Sequence, residues 1–157
     1  MSIEARIHTS ALQDRLKGFA ENAILALRSQ LYAEVGLLAS YIQREKLSGQ
    51  ILKNRKGHLR RSIFHTVTNS GSQIVGTVGV GLEVPYGRYQ EYGAQIPERV
   101  PVNAKALRWY VGGSPVFAMR ARAFTLPARP FMRPSLDEKA DEITQGLQQA
   151  LNEAAQK

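Results

Sequence analysis

Leu12, Leu16, Phe19, Ala23, Leu27, Leu31, Val35, Leu38 and Ile42 recur at intervals of three or four. That period draws one apolar stripe down a helix and predicts a long helix over residues 10–47. Ser10 is placed to cap its start, and Gly49 follows its end. Gly18 and Gly36 each weaken the interior by roughly 1 kcal/mol relative to Ala, and either could mark a bend. A helix this long in so short a chain is expected to be broken or shared with a neighbouring molecule.

The period then changes. Residues 46–62 carry Gly punctuation and dense positive charge, which reads as a loop or short turn, with Leu59 and Ile63 at a spacing that could anchor it. Two β-branched runs, Ile63–Thr68 and Gln73–Val80, flank "NSGS" and predict an antiparallel hairpin over 62–82. Glycines 76, 79 and 81 remove side-chain bulk, so that another element can come close. "KALRWYV" and "VFAMRARAF" lie on either side of "GGSP" and predict a second, basic hairpin over 99–125, extending as an arm. Leu136, Ala140, Ile143, Leu147, Leu151 and Ala154 restore the helical period over 134–155. Pro134 or Ser135 stands at its start, and Asp137, Glu138, Asp141 and Glu142 complement the positive end of the helix dipole. The expectation is one α+β domain over 1–157, with long N-terminal and C-terminal helices packed on an antiparallel β-sheet.

Composition narrows the class. A chain of 157 residues suffices for one core-bearing domain. It has no cysteine, which removes disulfides and thiolate metal sites. "MSIEARIHTSALQDRL" lacks the apolar core and cleavage site of a secretion signal, and no run approaches the roughly 20 apolar residues that span a bilayer. A water-soluble protein with no membrane partner is expected.

Charge changes the picture more. The net charge is +8, but it is unevenly placed: residues 46–133 hold 14 Lys/Arg against Glu83, Glu91 and Glu98, a net of +11, and the flanks carry −3. Residues 99–136 contain seven basic side chains and no carboxylate. Such a field attracts a polyanion or an acidic partner surface. Lys53, Arg55, Lys56, Arg60 and Arg61 form the densest cluster, and Arg108, Arg120 and Arg122 add to it from the arm. These residues suit electrostatic contact with phosphates or a partner, without sequence readout. The aromatic interleaving of a single-strand binder is missing from 53–61.

Catalytic and metal chemistry is not suggested. His8, His58 and His65 fall in no HxH, HExxH or HxxxH arrangement. "GTVGVG" matches neither GxGxxG opening a helix nor GxxxxGK[ST], and there is no GxSxG. Glu83 and Glu91 lie eight residues apart with nothing nearby to raise a pKa. The expectation is no enzyme, no metal and no cofactor.

"YGRYQEYG" brings Tyr86, Tyr89 and Tyr92 close to one face of a helical turn, with Gly87 and Gly93 permitting the turn. Tyrosine combines apolar area with a hydrogen-bonding tip, which serves packing within a subunit and contact between subunits alike. Glu91 is placed to pair with Arg129 or Arg88 and so to fix this segment against Pro130 and Phe131.

Three motifs in order carry a resemblance. Gly57, Leu59, Ser62 and Ile63 lead into the first strand. Tyr86, Tyr89, Glu91, Tyr92 and Gly93 follow, and Arg129, Pro130, Phe131 and Pro134 precede the last helix. Over roughly residues 10–155 the chain resembles the bacteriophage gene-product-ten-like tail-component family, small neck or tail-completion proteins of phage virions. It departs from many members at Ala94, where they have Thr. The resemblance implies a homo-oligomeric, sixfold ring at the head–tail junction. That ring would contact the head–tail connector and the tail terminator or tail-tube proteins, with double-stranded DNA passing through its lumen. It would be found in the virion, and in the host cytoplasm during assembly. A ring needs two unlike surfaces on each subunit. The alternative expectation is an accessory protein that binds nucleic acid without sequence preference.

Overall fold

The structure is a computed structural model that describes residues 10–49, 57–70 and 73–156. Helix α1 (Ser10–Tyr41) runs without interruption into one wider π-helical turn, Ile42–Lys46. Neither Gly18 nor Gly36 breaks it; the change of winding comes at its C-terminal end. Helix α2 (His58–Arg61) is a single turn that leads into strand β1 (Ile63–Ser70). Strand β1 pairs antiparallel with β2 (Gln73–Val80) in the register Ile63↔Val80 to Ser70↔Gln73. The predicted turn residues Gly71 and Ser72 lie outside the described residues.

Gly76 is where β2 meets α1. A methyl group there would stand 2.7 Å from Val35 Cγ1 and 3.1 Å from Leu31, so a larger residue would push the helix off the strand. Gly79 lies opposite Phe64, whose ring occupies the space a side chain would need.

Helix α3 (Tyr86–Tyr92) is followed by β3 (Ala94–Ile96), which pairs with β6 (Phe124–Leu126). Between them Arg99 and Ala121 exchange backbone hydrogen bonds at 2.9 and 2.8 Å. Farther out, β4 (Leu107–Val111) pairs with β5 (Ser114–Ala118). These pairings share one antiparallel sense, so across residues 94–126 the β3–β6 ribbon leads outward into the β4–β5 ribbon. Its tip is Gly112–Gly113, with φ of 59° and 88°, the left-handed pair that a two-residue hairpin turn demands. Two expectations are corrected here. The strands form three two-stranded ribbons, not one sheet. Phe124, expected in the arm, pairs at the ribbon's root, while Ser114 and Pro115 leave the turn and join β5.

Helix α4 (Arg133–Ala155) lies antiparallel along α1: Glu138 meets Tyr41 and Lys46 at one end, and Gly146 faces Gln30 and Glu34 farther along. The α+β class is shown, with both long helices packed against small antiparallel ribbons. The core is compact and sits at one end of α1. Leu38, Ala39, Ile42, Leu47, Leu59, Ile63, Val84 and Phe131 make it, with Val78, Val80, Met132 and Ile143 against them. The apolar stripe of α1 outruns this core: Val35 is buried, but Phe19 remains 40% exposed. The α4 face is also only partly covered, with Leu136 at 51% exposure.

Candidate functional site

Phe131 is fully buried, and complete burial of such a ring contributes roughly 2–3 kcal/mol. Around it the chain builds a clamp. Gly87 and Glu91 face inward from α3, while Tyr86, Tyr89 and Tyr92 stay exposed on its outside. Gly87 has to be small, because a methyl group there would meet Leu59 and Val80 at 3.0 Å. Gly93 then turns the chain with φ 72°, directly against the Leu126 carbonyl and Ala128.

The Glu91 carboxylate accepts three backbone hydrogen bonds. Phe131 N–H donates at 2.7 Å and Met132 N–H at 3.0 Å to Oε2, and Arg133 N–H donates at 3.0 Å to Oε1. These are the donors that the start of α4 leaves without helical partners, and Pro134 has no N–H to satisfy. A side chain 42 residues upstream of Arg133 thus caps α4, and it also brings a negative charge to the positive end of the helix dipole. The expected pairing of Glu91 with Arg129 or Arg88 is therefore corrected. The segment is fixed against Pro130 and Phe131 through backbone amides, and Arg129 takes part through its own N–H, donated to the Gln90 carbonyl at 2.7 Å. The expected helix start holds, since α4 begins at Arg133 with Pro134 in its first turn. Ser135 is wholly buried and its hydroxyl donates back to the Phe131 carbonyl at 2.5 Å. Asp137, Glu138, Asp141 and Glu142 lie beyond the first turn.

The electrostatic residues are distributed differently. Lys53, Arg55 and Lys56 lie outside the described residues. Arg60 and Arg61 belong to the exposed face of α2, whose Leu59 is buried in the core. Arg108 lies on β4, and Arg120 and Arg122 lie between β5 and β6; all three are exposed. Arg120 makes a loose pair with Glu98 at 3.8 Å, and the Arg108 guanidinium lies over the Tyr110 ring at 5.8 Å. Around these cations the outer ribbon exposes Tyr110, Val111, Phe117 and Met119, each at 60% or more. Pro130 is also exposed, beside the buried Phe131.

Two features had no single-residue signal in the sequence. One is an apolar groove of about 830 Å³ between α1, β2, α3 and α4, with Leu31, Val35, Val80, Tyr92, Leu136 and Asp137 among its walls. The other is a polar lock on the α1–α4 seam. Tyr41 donates to Glu138 at 2.6 Å, Lys46 reaches both Glu138 oxygens at 2.8 Å, and Lys46 and Lys139 lie over the Tyr41 ring at 5.4 and 5.1 Å. The Lys46 ammonium, and then the Tyr41 hydroxyl, hold Glu138 below its ordinary carboxylate pKa, while Glu138 in turn raises Lys46.

Among the described residues no cluster of His, Asp and Glu is arranged to hold a metal ion, and no helix is long and apolar enough to cross a membrane. In comparisons with known proteins, no family model, no curated protein and no solved structure matches the chain.

Proposed function

We propose that this chain is a structural subunit of the head–tail junction of a tailed phage or phage-derived particle. In this reading it assembles as a homo-oligomeric ring, sixfold by the family resemblance, that joins connector to tail around the DNA channel. The observation that carries the reading is surface. Leu25, Tyr110, Phe117 and Met119 each stand more than 60% exposed, although side chains of this kind favour burial. They belong to elements that leave the core, the outer ribbon and the part of α1 ahead of it. A subunit that completes its packing on assembly has this profile. The Glu91 clamp gives it a rigid centre from which those elements project. The role needs no catalysis, and no reaction is assigned.

A second reading, an accessory protein that binds nucleic acid without sequence preference, is favoured by one observation: Arg108, Arg120 and Arg122 stand exposed on or beside a two-stranded ribbon, a shape that B-DNA's major groove admits. Deleting the gene in its host element, inducing, and imaging the lysate by negative-stain electron microscopy separates the two. Separate filled heads and unjoined tails are expected. Complete particles would overturn the junction role.

A further inference from the structure

Residues 99–126 carry Arg99, Lys105, Arg108, Arg120 and Arg122 and no carboxylate. All five of these residues are exposed. The Arg99↔Ala121 bridge sets Arg99 opposite the stretch that holds Arg120 and Arg122, so three arginines share the waist between the β3–β6 and β4–β5 ribbons. Among the described residues Glu98 draws only Arg120, at 3.8 Å. Like charges held this close repel, and an anion bound among them relieves the repulsion. The partner that this field fits is a polyanion.

The β4–β5 hairpin decides which polyanion. Its register puts Arg108 opposite Phe117 and Tyr110 opposite Pro115, and the alternation of strand residues sets these four on one face. Tyr110 is 62% and Phe117 63% exposed there, and the Arg108 guanidinium lies 5.8 Å from the centre of the Tyr110 ring. The two aromatic residues are diagonal neighbours across the strand pair, about 7–8 Å apart by sheet geometry. The aromatic interleaving that residues 53–61 lack is therefore present here. Leu107, Trp109 and Val116, on the opposite face, have no cation among them. In a duplex the base faces are already stacked, so an exposed ring gains little from one. An unpaired base offers its π-face, and stacking on aromatic rings beside cations holds a single strand without sequence preference. We propose that the Arg108–Tyr110–Phe117 face binds single-stranded nucleic acid. Two bases stack on Tyr110 and Phe117, while Arg108 and the waist arginines answer the phosphates. This rests on the nucleic-acid reading and names the state of the strand that the ribbon takes. It leaves the opposite, uncharged face to assembly contacts.

Fluorescence anisotropy of the full chain with a labelled oligothymidylate, and with a duplex of the same length, tests this. The single strand is expected to bind about tenfold tighter than the duplex. Phe117→Ala should weaken single-strand binding by roughly tenfold, as losing one stacked base does, with the salt dependence unchanged. Arg108→Gln should instead flatten the slope of log K against log salt by about 0.7, one phosphate's share. Both positions are exposed, so neither change endangers the fold. Phe64→Ala, which removes an exposed ring on β1, is the control. Equal binding of strand and duplex, or a Phe117→Ala chain that binds like wild type, overturns the proposal and leaves the electrostatic nucleic-acid reading standing. Absence of binding to either probe at low salt overturns both. If Phe117→Ala then still prevents particle joining, the face belongs to a protein partner.

Discussion

Removing the Glu91 carboxylate leaves three backbone N–H groups at the root of α4 without an acceptor. Each such loss in a buried place costs about 1–3 kcal/mol, and the three are not independent. Glu91→Ala is therefore expected to lower stability by about 3 kcal/mol in urea unfolding, a large share of a typical domain's total. Glu91→Gln keeps one acceptor oxygen and should lose less. An alanine variant within about 1 kcal/mol of wild type would show that the clamp is dispensable. At this scale the sequence was half legible. The need for Glu91 to pin the Tyr segment against Phe131 could be read from the motifs, but the partner could not. Backbone amides carry no residue letter, so a search over side chains offered Arg129 and Arg88 instead.

Among elements, the α1–α4 seam has its own pH signature. Glu138 titrates below its ordinary value of 4.5 in the folded chain because Lys46 and Tyr41 favour the charged form. A depressed carboxylate contributes stability that is fully present above the unfolded value and is lost as pH falls through the folded one. Lys46 is raised above its ordinary 10.5, so its share is complete below that value and is lost only in strong alkali. Glu138→Gln is accordingly expected to separate from wild type by a constant margin from neutrality down to pH 4.5, and to converge with it in more acid solution. Thermal unfolding midpoints across that range check this; a margin that persists at the lowest pH would exclude Glu138 as its source. The helices themselves were legible from their period. Their exposure was not: a stripe at helical spacing marks a face that prefers burial, whether or not this chain supplies the cover. Phe19 and Leu136 lie on such stripes and remain open.

For the whole molecule, the outer ribbon should be separable from folding. Its root, β3–β6, is held by Gly93 and the α3–α4 clamp, while the core residues all lie elsewhere. Replacing residues 107–118 with a short Gly-Ser link is expected to change stability by no more than about 1 kcal/mol, since shortening a loop alters closure entropy only slowly. The same replacement should abolish particle joining when supplied in place of the wild-type gene. A protein that fails to fold without the ribbon would make it part of the core, and one that still joins particles would remove it from assembly.

The sequence by itself determined the α+β class, the two long helices, the first hairpin and the uneven charge. Each of these follows from period, turn residues or composition, which are local properties. Only the tertiary structure decided that the strands divide into three ribbons, that a carboxylate on α3 caps α4, and that α1 and α4 border an open apolar groove. Those outcomes depend on which surfaces meet across tens of residues, and hydrophobic pattern alone says that a face seeks cover without saying what provides it.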